Sequence, residues 1–587
     1  MGRTELVRVA LGKEPADIVI KGGRLVNVDT AEIEEGVDVA LKGKRIALVG
    51  DGRHCIGKGT AVIEAEGKYI VPGLLDAHVH IESSMVTVTQ FARAVLPHGT
   101  TGVFIDPHEI ANVLGMLGVK MMLDEGANLP LKVFATIPSC VPSAPGLETT
   151  GAEIGPADVA EGLKWERVVG LGEVMNFPSV LAGGKRMHDE IQAALDRHSA
   201  VEGHASGLLG KELSAYVAAG IRSDHESSTR EEAIEKLRLG MKLEIREGSA
   251  FKNLKTLVKP ILKLKLDTRH CLLATDDIHP SDLVREGHMD HVIRRAVEEG
   301  ADPVRAIQMA TINTAEHFGV DGELGSISPG KLADVLIVKG IEKLSVEKVI
   351  ADGMLVAKNG RLVIKSPTPK YPKFAKRTMN MKKVTSRDFD VRAPVRKGEV
   401  KVRVIGLVEG QVFTEHEIAS LKVEDELVKP DIVNDIVKVA VVERHKATGN
   451  IGRGFVRGFG MKKGAIASSV GHDAHNITVA GTNGRDMAVA VNAIVRMGGG
   501  QVVVNEGKVL ARVELPIAGL MSDKPVEEVS SELELLHRAA KRLGIGLKSP
   551  FMRLSFLSLA VIPKLRITDK GLVDVEKFKI VDLVVKS

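Results

Sequence analysis

Cysteine is scarce in this chain of 587 residues: there are three, Cys55, Cys140 and Cys271, far apart and without CxxC spacing. An odd, scattered set of thiols excludes a disulfide framework and a thiolate zinc site, and it makes the cytoplasm the default compartment. Net charge is nearly absent as well. The 80 basic and 76 acidic side chains leave a formal +4, too little for a field that would hold nucleic acid or an anionic membrane. No apolar run reaches the roughly 20 residues of a membrane helix. The opening stretch MGRTELVRVALGKEPADIVI lacks the long apolar segment and small-residue cleavage site of a secretory leader. Internal repeats and low-complexity tracts are missing too.

What is present is ample core material, with 44% hydrophobic and 27% charged residues, as in soluble globular proteins. The length exceeds one ordinary domain. Residues 17–70 read as short strands between glycines (DIVIKGGRLVNV, VDVALKGKRIALVG, AVIEAEGKYIV), and the texture returns in KLADVLIVK (331–339) and VIADGMLVAKNGRLVI (349–364). Both flanks are expected to pair into one small β-sandwich domain, residues 1–70 plus 322–365. Between them, residues 71–321 alternate strand-like runs with helical patterns, the signature of a parallel sheet with crossover helices. The runs are YIVPGLLDAHVHI, TTGVFIDP, LKVFATIPS, VVGLGEVMN, SAVEGHAS, GIRSDHES, KLEIREG and CLLATDD. Eight of them predict an α/β fold built on a (β/α)8, TIM-like barrel. The basic stretch SPTPKYPKFAKRTMNMKK reads as a linker into a C-terminal α+β domain, residues 366–587.

Each barrel run ends in polar or ionisable residues, where such barrels place their chemistry. In LLDAHVHIESS, His78 and His80 stand two apart on a strand and share a face, so both imidazoles can bind one cation. Further strand ends supply His204 in EGHAS, His225 in SDHES and Asp276 in ATDD. Four histidines and an aspartate at one mouth point to a metal centre rather than to unrelated core histidines. Glu173, in VVGLGEVMN, faces the same mouth, where its two oxygens can serve two cations about 3.5–4 Å apart; an ion pair or a general acid are its other roles. In DPHEIAN, Asp106 is placed either to orient His108 or Glu109 or to cap a helix. His472, Asp473 and His475 in SSVGHDAHN form an extra metal site, a lid, or a hydrogen-bonded turn, and stand outside the catalytic set. IGRGFVRGFGMKKG lacks the order of a phosphate loop and reads as turns.

The arrangement of an HxH strand end, a carboxylate on strand four, histidines on strands five and six and an aspartate on strand eight resembles the amidohydrolase superfamily, over roughly residues 1–365. Many two-metal members carry a carbamylated lysine where Glu173 stands. With that glutamate, the segments PGLLDAHVHIESSM, DPHEIANVLG, GLGEVMN, EGHASGL and SSVGHDAHNITVAGTN are similar to the adenine deaminase family. The resemblance implies that His78, His80, Glu173 and Asp276 hold one cation and Glu173, His204 and His225 another. It favours manganese, with iron or zinc also suited to an all nitrogen and oxygen set. It implies hydrolysis of adenine to hypoxanthine and ammonia, with Glu173 and Asp276 catalytic. Asp276 shuttles a proton, and His108 or Glu109 protonates a ring nitrogen. The rivals are a cyclic-amide hydrolase similar to dihydroorotase or hydantoinase, and a non-catalytic scaffold. A small-molecule substrate and a homo-oligomer are expected, with no nucleic-acid or membrane partner.

Overall fold

Runs such as TTGVFI and CLLA carry no polar face, so they are stable only as strands covered on both sides. The computed structural model, which describes residues 2–249, 251–408, 411 and 413–585, buries both runs completely in the wall of a parallel barrel. Its eight strands, counted among the described residues, are Leu74–His80, Thr100–Ile105, Lys132–Ile137, Val168–Val174, Ala200–Gly203, Ser223–Asp224, Lys242–Arg246 and Cys271–Ala274. The first five pair in sequence order and the last three pair with one another. Asp276–Asp277 pairs with the first strand, and the Arg222 N–H donates to the Val201 carbonyl at 3.2 Å across the remaining seam. Helices such as Met116–Gly126, Lys185–Leu195 and Met289–Glu298 return the chain between strands. The expected (β/α)8 barrel is there. No described helix is long and apolar enough to cross a membrane.

One run needs correction. YIVPGLLDAHVHI is two strands, because the chain breaks at Gly73, whose N–H donates to the Asp334 carbonyl at 3.0 Å. A Cβ at Gly73 would collide with the Thr101 side chain, so the crossing needs glycine. Tyr69–Pro72 leaves the barrel and pairs antiparallel with Val335–Val338. Strands from both flanks thereby share one sheet, nine-stranded among the described residues, over a core that includes Ile20, Val39, Ile70, Val335, Ile337 and Ile350. Lys132 ties this sheet to the barrel. Its buried ammonium meets Asp334 at 2.5 Å and Asp352 at 2.7 Å. Lys132→Met leaves buried carboxylate charge unpaired and is expected to lower stability by about 3–5 kcal/mol; denaturant unfolding measures it, and an unchanged midpoint contradicts it.

The C-terminal residues build a second, mostly antiparallel sheet, also nine-stranded among the described residues. Helix Gly484–Met497 packs on it, started by the Asn483 side chain accepting the Asp486 N–H and stopped by Gly498 at φ 77°. The glycine-rich segment is not all turns. Ile451–Arg457 is a strand of this sheet, and a Cβ at Gly452 would strike the Thr568 carbonyl of a neighbouring strand, so close packing explains the glycine.

The loop after the third barrel strand holds the C-terminal region in place. Thr568 Oγ1 donates to the Leu147 carbonyl at 2.6 Å, the Thr149 N–H donates to Asp569 at 2.9 Å, and Asn476 donates to the Thr149 carbonyl at 2.8 Å. Within that loop Glu148 is buried, and burial pushes its carboxyl up to about 8 against the pull of the Ala144 N–H. The native state therefore binds a proton that the unfolded chain releases near 4.5. Stability falls as pH rises from there through about 8. Glu148→Gln is expected to exceed the parent by roughly 2–4 kcal/mol at pH 9 and to lose that advantage at pH 4. Thermal unfolding at both pH values reads the difference, and equal stability at pH 9 contradicts it.

Candidate active site

Alternation along the first barrel strand places His78 and His80 on one face, with their Nε2 atoms 3.2 Å apart. His80 Nδ1 bonds the Asp106 carbonyl at 2.8 Å, which puts the proton on Nδ1 and leaves the Nε2 lone pair for a cation. Glu173 Oε1 lies 3.3 Å from His78 Nε2 and 3.1 Å from His80 Nε2. Asp276 Oδ1 lies 3.7 and 3.2 Å from the same two atoms. Spacings of about 3.4 Å are the edges of a tetrahedron whose ligand bonds are about 2.1 Å.

The other oxygen of Glu173 faces a different set. Oε2 lies 2.7 Å from His204 Nδ1 and 3.4 Å from His225 Nε2. Strands one, four, five, six and eight thus bring all six predicted metal ligands together, with the Glu173 carboxylate between two groups. The residues fit two cations: every donor is nitrogen or oxygen, and Glu173 Oε1 is buried without a hydrogen-bond partner. Burial disfavours the His80 imidazolium, yet Asp276 and Glu173 together raise its pKa well above the usual range, the mark of a pocket rich in negative charge. Burial and the neighbouring His78 lower the pKa of His225, which keeps it neutral as a ligand must be.

Glu173 is positioned from behind. Its N–H donates to Asp106 Oδ2 at 2.8 Å, and a Cβ on the preceding Gly172 would collide with that carboxylate. Gly172→Ala is expected to displace Asp106 and Glu173 and to weaken metal binding by about 10–100-fold; metal titration checks this, and wild-type affinity contradicts it. Asp106 does not cap a helix. Helix His108–Leu114 follows Pro107 with no side-chain cap, because the Asp106 carboxylate is spent on the Glu173 N–H and on His108 Nδ1, 3.4 Å away. Burial disfavours the His108 imidazolium, but Asp106 and Glu173 hold its pKa well above the usual range.

Asp276 sits at φ 60°, and its two carboxylate oxygens face different partners. Oδ1 faces the histidines, and Oδ2 accepts from Arg246 Nη1 at 2.7 Å. Arg246, 2% exposed, also pairs with Glu226, and its guanidinium lies 4.5 Å over the Phe251 ring. Sequence reasoning missed Arg246. A signal was available, since it ends strand seven, and several other strands carry a candidate site residue at or just beyond their ends.

The C-terminal region completes the mouth. Both oxygens of Glu109 are taken, one by His472 Nδ1 and one by His475 Nε2, and Asp473 Oδ1 approaches His108 Nε2 at 4.0 Å. SSVGHDAHN therefore includes a turn at the site, and His472 and Asp473 line its cavity. The resulting cavity of about 360 Å³ is walled by Met175, Phe177 and Phe251 from the barrel side and by Phe556, Leu559 and Ile562 from the C-terminal side. His80, His108, Glu109, Glu173, His204, His225 and Asp276 line it.

An amidohydrolase family model matches residues 69–363, and a model of the adenine deaminase C-terminal domain matches residues 411–579. The adenine deaminase of Moorella thermoacetica is 52% identical over 582 residues, covering 99% of this chain and 98% of that protein. That of Mesorhizobium japonicum is 52% identical over 586 residues, with 99% and 97% covered, and one from Clostridium botulinum is 49% identical over 584 residues, with 99% and 97% covered. The similarity runs through barrel, flanking sheet and C-terminal region alike, and the chain belongs to the adenine deaminase family of amidohydrolases.

Proposed function

We propose that this chain hydrolyses adenine to hypoxanthine and ammonia with the help of two divalent cations, as an enzyme of purine salvage. The observation that carries the reading is the division of one carboxylate: Glu173 turns Oε1 to His78 and His80 and Oε2 to His204 and His225. His78, His80, Glu173 and Asp276 would hold one cation and Glu173, His204 and His225 the other. Manganese is the proposed metal, with iron and zinc suited to the same donors. Bound cations lower the pKa of solvent toward neutrality and so supply a nucleophile without a strong base.

The side chains supply the rest. Asp276 accepts the proton of the attacking solvent and returns it to the exocyclic nitrogen, so that ammonia leaves. His108, kept protonated by Asp106, donates to a ring nitrogen as electrons enter the purine, and Glu109 lines the same cavity. Walls of Phe177, Phe251 and Phe556 suit a flat heteroaromatic base. Three buried, unpaired cysteines among the described residues support a reducing, cytoplasmic setting, and a homo-oligomer is the commonest assembly for such an enzyme.

Ammonia release from adenine, adenosine, cytosine and hydantoin, with metal content measured on the same sample, tests the reading. Adenine turnover that vanishes on chelation and returns with manganese is expected. A manganese-loaded protein that ignores adenine and opens hydantoin would replace the reading with the cyclic-amide one.

A further inference from the structure

Inward layers of an eight-stranded parallel barrel are ordinarily filled by branched apolar side chains. Two glutamates break that pattern here. Glu202 on strand five and Glu244 on strand seven are 1% and 0% exposed, and a buried carboxylate costs several kcal/mol unless it is paired. Glu202 is paired. Its Oε1 lies 2.8 Å from His317 Nε2, and its Oε2 accepts from Ser223 Oγ at 2.9 Å. Glu244 is not. Neither of its oxygens accepts a hydrogen bond.

The surroundings of Glu244 show what it is for. Oε2 lies 3.9 Å from His225 Nδ1, just outside hydrogen-bond range, and that nitrogen is itself buried without a partner. Two orphaned atoms of complementary chemistry therefore face each other. The opposite ring nitrogen of His225 is the one that points at Glu173 Oε2. On the far side, Oε1 of Glu244 lies 3.9 Å from His317 Nε2, the same atom that pairs with Glu202.

We propose that Glu244 is a positioning residue for the cation at Glu173, His204 and His225: it accepts the His225 Nδ1 proton, so that Nε2 is the ligating nitrogen, and the Glu202–His317 pair braces it from behind. A carboxylate behind a ligating imidazole fixes the ring and raises its basicity, and losing one weakens metal binding by about 10–100-fold. The proposal rests on the two-cation reading above. It assigns a purpose to two buried carboxyl groups that the barrel does not need for packing.

The test is manganese titration of the metal-free, full-length protein, with the cobalt-substituted form followed by visible absorption. Wild type is expected to take up two cations. Glu244→Gln, which keeps shape and removes the charge, is expected to bind one of them about 10–100-fold more weakly, to leave the other unchanged and to alter the spectrum of one cobalt ion only. Glu244→Asp withdraws the charge by one methylene, is expected to weaken the same cation, and decides the matter if the glutamine variant does not fold. Wild-type affinity at both sites, or equal weakening of both, overturns the proposal alone. A wild-type protein that binds fewer than two cations overturns the reading beneath it, and the proposal with it.

Discussion

Asp276→Asn is expected to lower kcat for adenine by about 10²–10⁴-fold, the range for losing a positioned proton carrier, the role proposed for Asp276. The aspartate has two simultaneous tasks: Oδ1 faces His80 at 3.2 Å and Oδ2 accepts from Arg246 at 2.7 Å. Asparagine has a single acceptor oxygen and can serve one of these, while its amide nitrogen repels either the guanidinium or a cation. It also has no lone pair basic enough to take a proton from solvent. Metal analysis of the variant separates loss of a ligand from loss of the proton carrier: with two cations retained, the fall in kcat belongs to proton transfer. A variant that keeps its metal and turns over near the parent rate removes Asp276 from the mechanism.

The second large effect is expected far from the metal ligands in sequence. Alanine at both His472 and His475 leaves Glu109 buried at 2% exposure with neither imidazole partner, and stability is expected to fall by about 3–5 kcal/mol. Burial alone would raise the Glu109 pKa, but His472 and His475 hold it well below the usual carboxylate range. Burial disfavours charge on His472 too, and Glu109 above all raises it to about 9. The signs give the pH window. The histidine's contribution is full below 6.5 and is lost as pH rises through about 9, whereas the glutamate's is present above 4.5 and is lost in acid. Adding Glu109→Gln to the double variant removes the stranded charge and is expected to recover most of the stability, though not the activity. No recovery in thermal unfolding would show that the histidines act by packing alone.

Much of this site was legible along the chain. His78 and His80 share a strand face by simple alternation, and His204, His225 and Asp276 follow runs apolar enough to be barrel strands, so their placement at one mouth followed from the fold class. Glu173 stood out because an ionisable residue in VVGLGEVMN has no other place to go. Arg246 was less visible, since an arginine at a strand end is ordinarily a surface residue. Glu202 and Glu244 were invisible for the opposite reason: inside KLEIREG and SAVEGHAS they look like the polar half of an alternating strand. Asp106 had two local readings, and its bond to a residue on another strand decided between them.

The amino-acid order by itself determined the eight strand runs, the ligand types at their ends and the family, because strand period and residue chemistry are written in near neighbours. Tertiary structure alone decided which oxygen of Glu173 meets which histidines, that Arg246 holds Asp276, that the chain breaks at Gly73, and that His472, Asp473 and Phe556 line the cavity. These are contacts between residues tens to hundreds of positions apart. Their geometry depends on how whole sheets pack, and no local pattern carries that information.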